Sequence, residues 1–255
     1  MRASLFFYTN WSYMNRFTPP CNLCAIVLLA LSCLLGFGSV WAQKLEAHPE
    51  FDVGDKWTFK FNNIGDRREP YTFTVQAVRS ENGSGWWYNE STERDARRPK
   101  FVQRYDYKRA RVVEGFEFDP AAPNMVGSRY FNSQPKEDFI RFPLDIGQKY
   151  NYKVDWDDGN GYNEYKGVVE SFEKVTLEAG EFEAFRIKFS GWWNRTRDGS
   201  GSGRVELILW WAPATKSFVK RTFKNWNGNG SQFNNFETTL LKWEPKAPLP
   251  DFLVK

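Results

Sequence analysis

From residue 43 onward the chain alternates hydrophobic and polar positions with a period of two, and the alternating runs are bounded by Gly, Asn and Asp. Successive side chains on a strand point to opposite faces, so this period predicts strands buried on one side. Nowhere in that region do hydrophobic residues recur at i, i+3, i+4 and i+7 over a helix-sized window, and an all-β domain follows. Phe182–Trp193 sets Phe185, Ile187 and Phe189 on one face, and Val205, Leu207, Leu209 and Trp211 share a face in the next run. Between them the polar, glycine-rich Asn194–Gly203 predicts a hairpin with a long tip. Tyr150–Trp156 and Tyr162–Phe172 predict a second hairpin around Asp157–Gly161. Gly159 falls where a calcium loop needs an oxygen ligand, so that turn is read as a plain one.

A second pattern lies above the first. Phe51–Phe61 aligns without gaps to Leu144–Val154, sharing the order Asp, hydrophobic, Gly, any residue, Lys, aromatic, any residue, aromatic, Lys, about 93 residues apart. Each copy is followed by another strand, Tyr71–Val78 and Gly167–Phe172. Two pseudo-repeats, about 51–142 and 144–243, in one domain spanning 43–255 are expected, as an antiparallel sandwich or a partly open barrel.

The N-terminal region breaks the alternation. Leu23–Leu35 is a continuous apolar run, Val40 and Ala42 offer small residues for cleavage, and Arg16 supplies the positive flank if translation starts at Met14. This predicts a signal peptide, residues 1–42, and a periplasmic or secreted protein. All three cysteines (Cys21, Cys24, Cys33) precede residue 43, so the exported chain has 213 residues and no thiol. Loss of Arg2 and Arg16 lowers the net charge from +4 to +2. Thiol nucleophiles, disulfides and thiolate metal sites are thereby excluded. With His48 the single histidine, a Ser-His-Asp site or a zinc centre has too few ligands, and no metal or cofactor is expected.

Three segments carry a resemblance: Gly147–Tyr152, Glu178–Ile187, and Trp210-Trp211-Ala212-Pro213 followed by Phe218–Arg221. Together, over about residues 144–243, they resemble the TapB-like family of exported bacterial β-proteins of largely unassigned function. The resemblance implies an exported β-fold and no known catalytic residue.

Aromatic residues make up 18% of the chain, more than a core of this size requires, which turns attention to the pairs Trp86-Trp87, Trp192-Trp193 and Trp210-Trp211. On a strand each pair sends one indole to either face. An indole on a solvated face suits stacking on sugar rings or a lipid interface, whereas a sheet covered on both faces would use them all as core. The expected ligand surface combines Trp87, Trp193 and Trp211 with Arg186 and Lys188, Trp193 and Trp211 approaching each other across the hairpin. Arg94–Arg111 carries eight basic residues with Phe101, Tyr105 and Tyr107 interleaved, which adds Arg104 and Tyr105 to the candidates. Outside the cytoplasm such a stretch points to glycan, lipid or protein partners near the membrane and not to nucleic acid. The expected function is a non-enzymatic envelope binding or assembly protein. The alternatives are a structural envelope protein without ligand and a hydrolase using two carboxylates from among Asp155, Asp157, Glu164 and Glu170.

Overall fold

Strong alternation and long runs without proline produce fourteen strands in the computed structural model, which describes residues 44–65, 69–94, 96–122, 125–132, 138–156, 159–197 and 201–253. They are β1 (Lys44–Leu45), β2 (Lys56–Asn63), β3 (Tyr71–Glu81), β4 (Ser84–Ser91), β5 (Lys100–Asp106), β6 (Arg111–Phe118), β7 (Val126–Asn132), β8 (Leu144–Asp145), β9 (Lys149–Asp155), β10 (Gly161–Leu177), β11 (Gly180–Arg195), β12 (Gly201–Ala212), β13 (Ser217–Trp226) and β14 (Gln232–Glu244). These residues belong to one compact unit, Ala42–Lys255. The predicted signal peptide lies outside the described residues. No helix among them is long and apolar enough to cross a membrane.

β1 pairs with β8, and the other twelve strands form a single antiparallel sheet in the order β7-β6-β5-β4-β3-β2-β14-β13-β12-β11-β10-β9. It consists of two six-stranded meanders, β2–β7 and β9–β14, joined edge to edge where β2 pairs with β14. The all-β, antiparallel, partly open architecture is the one the alternation predicted.

The two meanders share local detail. Gly54 and Gly147 both adopt positive φ (93° and 88°), a conformation a β-carbon would penalise, and so turn the chain into β2 and β9. The Gly54 amide donates to Ala77 O and the Gly147 amide to Val169 O, both at 2.8 Å. Asp55 N donates to Asp52 O and Gln148 N to Asp145 O, both at 3.0 Å. The bulge between Ala77 and Arg79 in β3 recurs between Val169 and Ser171 in β10, and the bulge at Val113 in β6, opposite Arg104 and Tyr105, recurs at Val219 in β13, opposite Trp210 and Trp211. Bulges bend a sheet and increase its twist, and here they fall on corresponding strands of the two meanders.

The inward faces close on a common interior. Trp57, Phe59, Phe185, Ile187, Phe189, Leu209 and Trp211 are all at most 2% exposed. Each such side chain stabilises the fold by about 1.5–3 kcal/mol through removal of apolar surface from water. Residues 138–143, just ahead of β8, pack into the common interior with it: Phe139 stacks on Phe189 at 5.1 Å, while Ile140 and Leu144 are buried. The N-terminal segment does the same with His48 and Phe51. His48 lies between Tyr105 and Trp211 (centroids 5.3 and 5.5 Å), the two residues that face the matching bulges at Val113 and Val219. Its Nδ1–H donates to Pro49 O at 2.7 Å, which leaves Nε2 to accept from the Tyr105 hydroxyl at 3.0 Å. Burial in this apolar box lowers the imidazole pKa to about 4.

The curl stops short of closure. β7 and β9, the last strand of one meander and the first of the other, hold the positions that β14 and β2 hold at the joint, yet they do not pair. A side-chain bond spans the gap instead: Arg111 Nη1 at the start of β6 donates to the Tyr152 hydroxyl of β9 at 2.6 Å.

Candidate functional site

The outer face of the second meander carries an open groove of about 830 Å³ running across β9 to β13. Its geometry follows from strand parity. Phe185, Ile187 and Phe189 point inward on β11, so Ser190 and Trp192 point outward. On β12 Leu207 and Leu209 point inward, so Arg204 and Glu206 point outward. The registers align these side chains in two rows across the sheet. One runs Lys153, Glu164, Trp192, Arg204, and the other Asn151, Lys166, Ser190, Glu206. Trp226, at the end of β13, closes the first row, with the Arg204 guanidinium 4.6 Å above its ring.

Trp192 stands at the centre of this groove and is 53% exposed, an unusual state for so large an apolar side chain. Its neighbour Trp193 points inward, donates Nε1–H to Trp226 O at 2.9 Å and packs on Phe233 at 5.8 Å. That bond fixes which member of the pair faces solvent. On either side of Trp192, Glu164 faces Lys153 at 4.0 Å and Glu206 faces Lys188 at 3.1 Å. The groove therefore offers a flat apolar platform framed by hydrogen-bonding and charged groups. Such a platform can stack on a ring while its frame hydrogen-bonds to the ring's substituents.

The residues expected from sequence do not assemble into one surface. Trp193 pairs with Gly203 near the hairpin tip and Trp211 with Phe185 at the far end. At about 3.4 Å per residue the two indoles are more than 25 Å apart along the hairpin, which corrects their expected approach. Both also point inward, and Trp211 is only 2% exposed. Trp87 lies on the other meander and packs on Tyr105 at 4.4 Å and on Phe51 at 5.1 Å. Tyr105 is buried against His48. Arg186 pairs with Glu170 and approaches the Trp210 ring to 5.6 Å, and Lys188 is committed to Glu206. Arg104 donates to Glu114 and to Ser84. The basic stretch is in large part neutralised locally: Arg98 meets Glu117, Lys100 meets Glu90 and Arg109 meets Asp106. Of the carboxylates considered for hydrolysis, Glu164 and Glu170 each face a cation, Asp155 lies exposed at the rim, and Asp157 is outside the described residues. No group of three or more His, Cys, Asp or Glu among the described residues is arranged to hold a metal ion.

Sequence reasoning missed Trp192, Trp226, Arg204 and Lys166. Parity held the signal for Trp192, because a residue one position from Trp193 is out of phase with Phe185, Ile187 and Phe189. Nothing local links Arg204 to Trp226.

No family model and no curated protein sequence matches the chain. Solved structures similar to it include three bacterial proteins. One is a protein assigned as a lipoprotein from Parabacteroides distasonis, at 12% identity and TM-score 0.43, with 79% of this chain and all of that one covered. Another is a protein assigned as exported, with a YmcC-like fold, from Bacteroides fragilis, at 11% identity and TM-score 0.42, covering 78% of this chain and all of that one. The third is the hypothetical lipoprotein YmcC from Escherichia coli, at 11% identity and TM-score 0.38, covering 76% of this chain and 90% of that one. At these scores the likenesses assign neither family nor function, and the TapB-like resemblance rests on the residues quoted for it.

Proposed function

We propose that the protein is an exported, non-enzymatic binding module of the cell envelope, and that its ligand is a saccharide chain lying across β9–β13 with one ring stacked on Trp192. The export half of this reading rests on the leader pattern of residues 1–42. The binding half rests on a single observation: an indole 53% exposed in the middle of a groove whose other outward side chains are polar or charged, apart from the second indole at its end. A sugar ring has apolar C–H faces and a periphery of hydroxyls, so it needs a flat apolar partner and nearby hydrogen-bonding groups. Asn151, Ser190 and Glu206 supply those groups beside Trp192. A lipid-binding face would instead present a continuous apolar patch. Each carboxylate of the groove faces a lysine, Glu164 facing Lys153 and Glu206 facing Lys188, and this arrangement supports binding more than a pair of carboxyl groups facing across a scissile bond.

The test is titration of envelope and plant-wall oligosaccharides against the purified protein, read by tryptophan fluorescence and calorimetry. Trp192→Ala should weaken binding by about 1–3 kcal/mol, by analogy with the stacking of nucleobases on aromatic side chains. Its exposed indole contributes little to folding, so the unfolding midpoint should not move. Wild-type affinity in Trp192→Ala would refute the site.

A further inference from the structure

The charge of the groove narrows the class of saccharide. We infer that the ligand is acidic: a carboxylate-bearing sugar, with its ring on Trp192 and its carboxylate received by Arg204 on one flank or Lys166 on the other. This rests on the saccharide reading above. Arg204 is the register partner of Trp192 on β12, and its guanidinium lies over the Trp226 ring at 4.6 Å. Lys166 pairs with Ser190, two residues from Trp192 on the same strand face. Among the described residues neither cation has a carboxylate partner, whereas elsewhere on this face Arg186 and Lys220 each meet a glutamate. The groove's own acids are occupied, Glu164 by Lys153 and Glu206 by Lys188. Lys224 stands opposite Glu206 in the register, and Asp155 lies one row toward the rim beside Tyr162. Positive charge therefore exceeds negative around the platform, and two of the cations without a carboxylate partner, Arg204 and Lys166, flank the indole.

Geometry favours a carboxylate in particular. Stacking on Trp226 holds the Arg204 guanidinium as a fixed fork, the arrangement that bonds both oxygens of a carboxylate at once. Adjacent strands lie about 5 Å apart, comparable to the width of a sugar ring, so a ring over Trp192 brings a ring substituent to Arg204 without moving the backbone.

The experiment compares oligouronides of several linkages with their carboxyl-reduced, neutral counterparts. Linkage and size are thereby matched and only the charge differs. Loss of a charge-assisted hydrogen bond corresponds to about a tenfold change or more, so the acidic form of at least one linkage should bind about tenfold tighter than its reduced form. The variants Arg204→Gln and Lys166→Gln should together erase that preference while retaining neutral binding, and Trp192→Ala should weaken both forms. Melting temperature measured on each variant separates loss of the site from loss of the fold. Equal binding of acidic and reduced forms, or an unchanged preference in the double variant, would overturn the inference and leave the saccharide reading standing. Binding of no saccharide at all would overturn both. Trp192-dependent binding to phosphatidylglycerol vesicles in place of the uronides would overturn both in favour of lipid.

Discussion

Gly203 lies beneath the indole that keeps Trp192 outside, and its replacement by alanine is the most direct test of how the groove is built. A β-carbon at this position would fall 1.9 Å from Trp226 O and 2.6 Å from Trp193 Nε1, the two atoms that share the 2.9 Å hydrogen bond. Ordinary contacts at these atoms exceed 3 Å, so the strand end or the indole must retreat by about 1 Å or more. Breaking the bond costs about 1 kcal/mol and overpacking a further 1–3 kcal/mol, so Gly203→Ala should destabilise the protein by about 2–4 kcal/mol. Urea unfolding followed by circular dichroism measures this without relying on the perturbed fluorophores. Gly201→Ala is the control: its β-carbon would meet only the far edge of the Trp193 ring, at 3.2 Å, and should cost less than about 1 kcal/mol. In a Trp193→Ala background the cost of Gly203→Ala should shrink, because one of its two obstacles is gone. A cost below about 0.5 kcal/mol, or one indifferent to Trp193, would refute the reasoning.

Two further outcomes follow from buried ionisable groups. His48 is neutral in the fold down to about pH 4, whereas in the unfolded chain it takes up a proton near pH 6.5. Its contribution to stability is thus constant above pH 7 and is lost as the pH falls from 6.5 toward 4, by about 3 kcal/mol in all. His48→Phe should remove the slope between pH 6.5 and 4.5, a window above the lowered carboxylate pKa values of Asp52 and Glu114, and a persisting slope would assign it elsewhere. Arg221 lies between the rings of Phe218 and Phe236 (5.1 and 5.3 Å) with its Nε unpaired, and burial pushes its pKa down to about 10. Arg221→Met keeps the packing and removes a poorly compensated charge, so the melting temperature should rise, by about 1 kcal/mol in stability terms; a loss of similar size would show that the guanidinium is needed.

The architecture was legible because its physics is local. Alternation at Phe185, Ile187 and Phe189 fixes which face of β11 is buried, and the glycine turns at Gly54 and Gly147 mark where each meander begins. The same alternation, carried two residues further, puts Trp193 inward and leaves Trp192 to solvent. The surface expected from sequence took Trp193, the member of the pair that this alternation turns inward, while Trp192 faces solvent. Placing Trp211 opposite Trp193 failed for a different reason: a hairpin pairs residues equidistant from its tip, which sets Trp193 against Gly203. The stack of Arg204 on Trp226 was beyond reach from sequence, since the register of β12 with β13 shifts at a bulge and sequence spacing alone does not reveal the alignment. The paired state of the basic stretch was hidden for a similar reason, because Glu90, Glu114 and Glu117 come from the neighbouring strands β4 and β6.

The joint between β2 and β14 sets the order in which the chain acquires its structure. Within each meander every strand pairs with its sequence neighbour, and such short loops close quickly at small entropic cost. The joint instead pairs Phe59 with Leu240, residues near opposite ends of the described chain, and this closure waits for the last strand to be made. Until then β2 presents a bare edge of hydrogen-bonding groups to any passing strand, its own kind included. A protein delivered N-terminus first through a translocation pore would spend that interval with its first meander formed and its edge open, the condition under which strand-swapped dimers and aggregates arise. Holding β14 back, by truncation before Gln232 or by a slow C-terminal release, should therefore raise the yield of swapped dimers in a refolding experiment, and supplying the β14 segment as a separate peptide should suppress them.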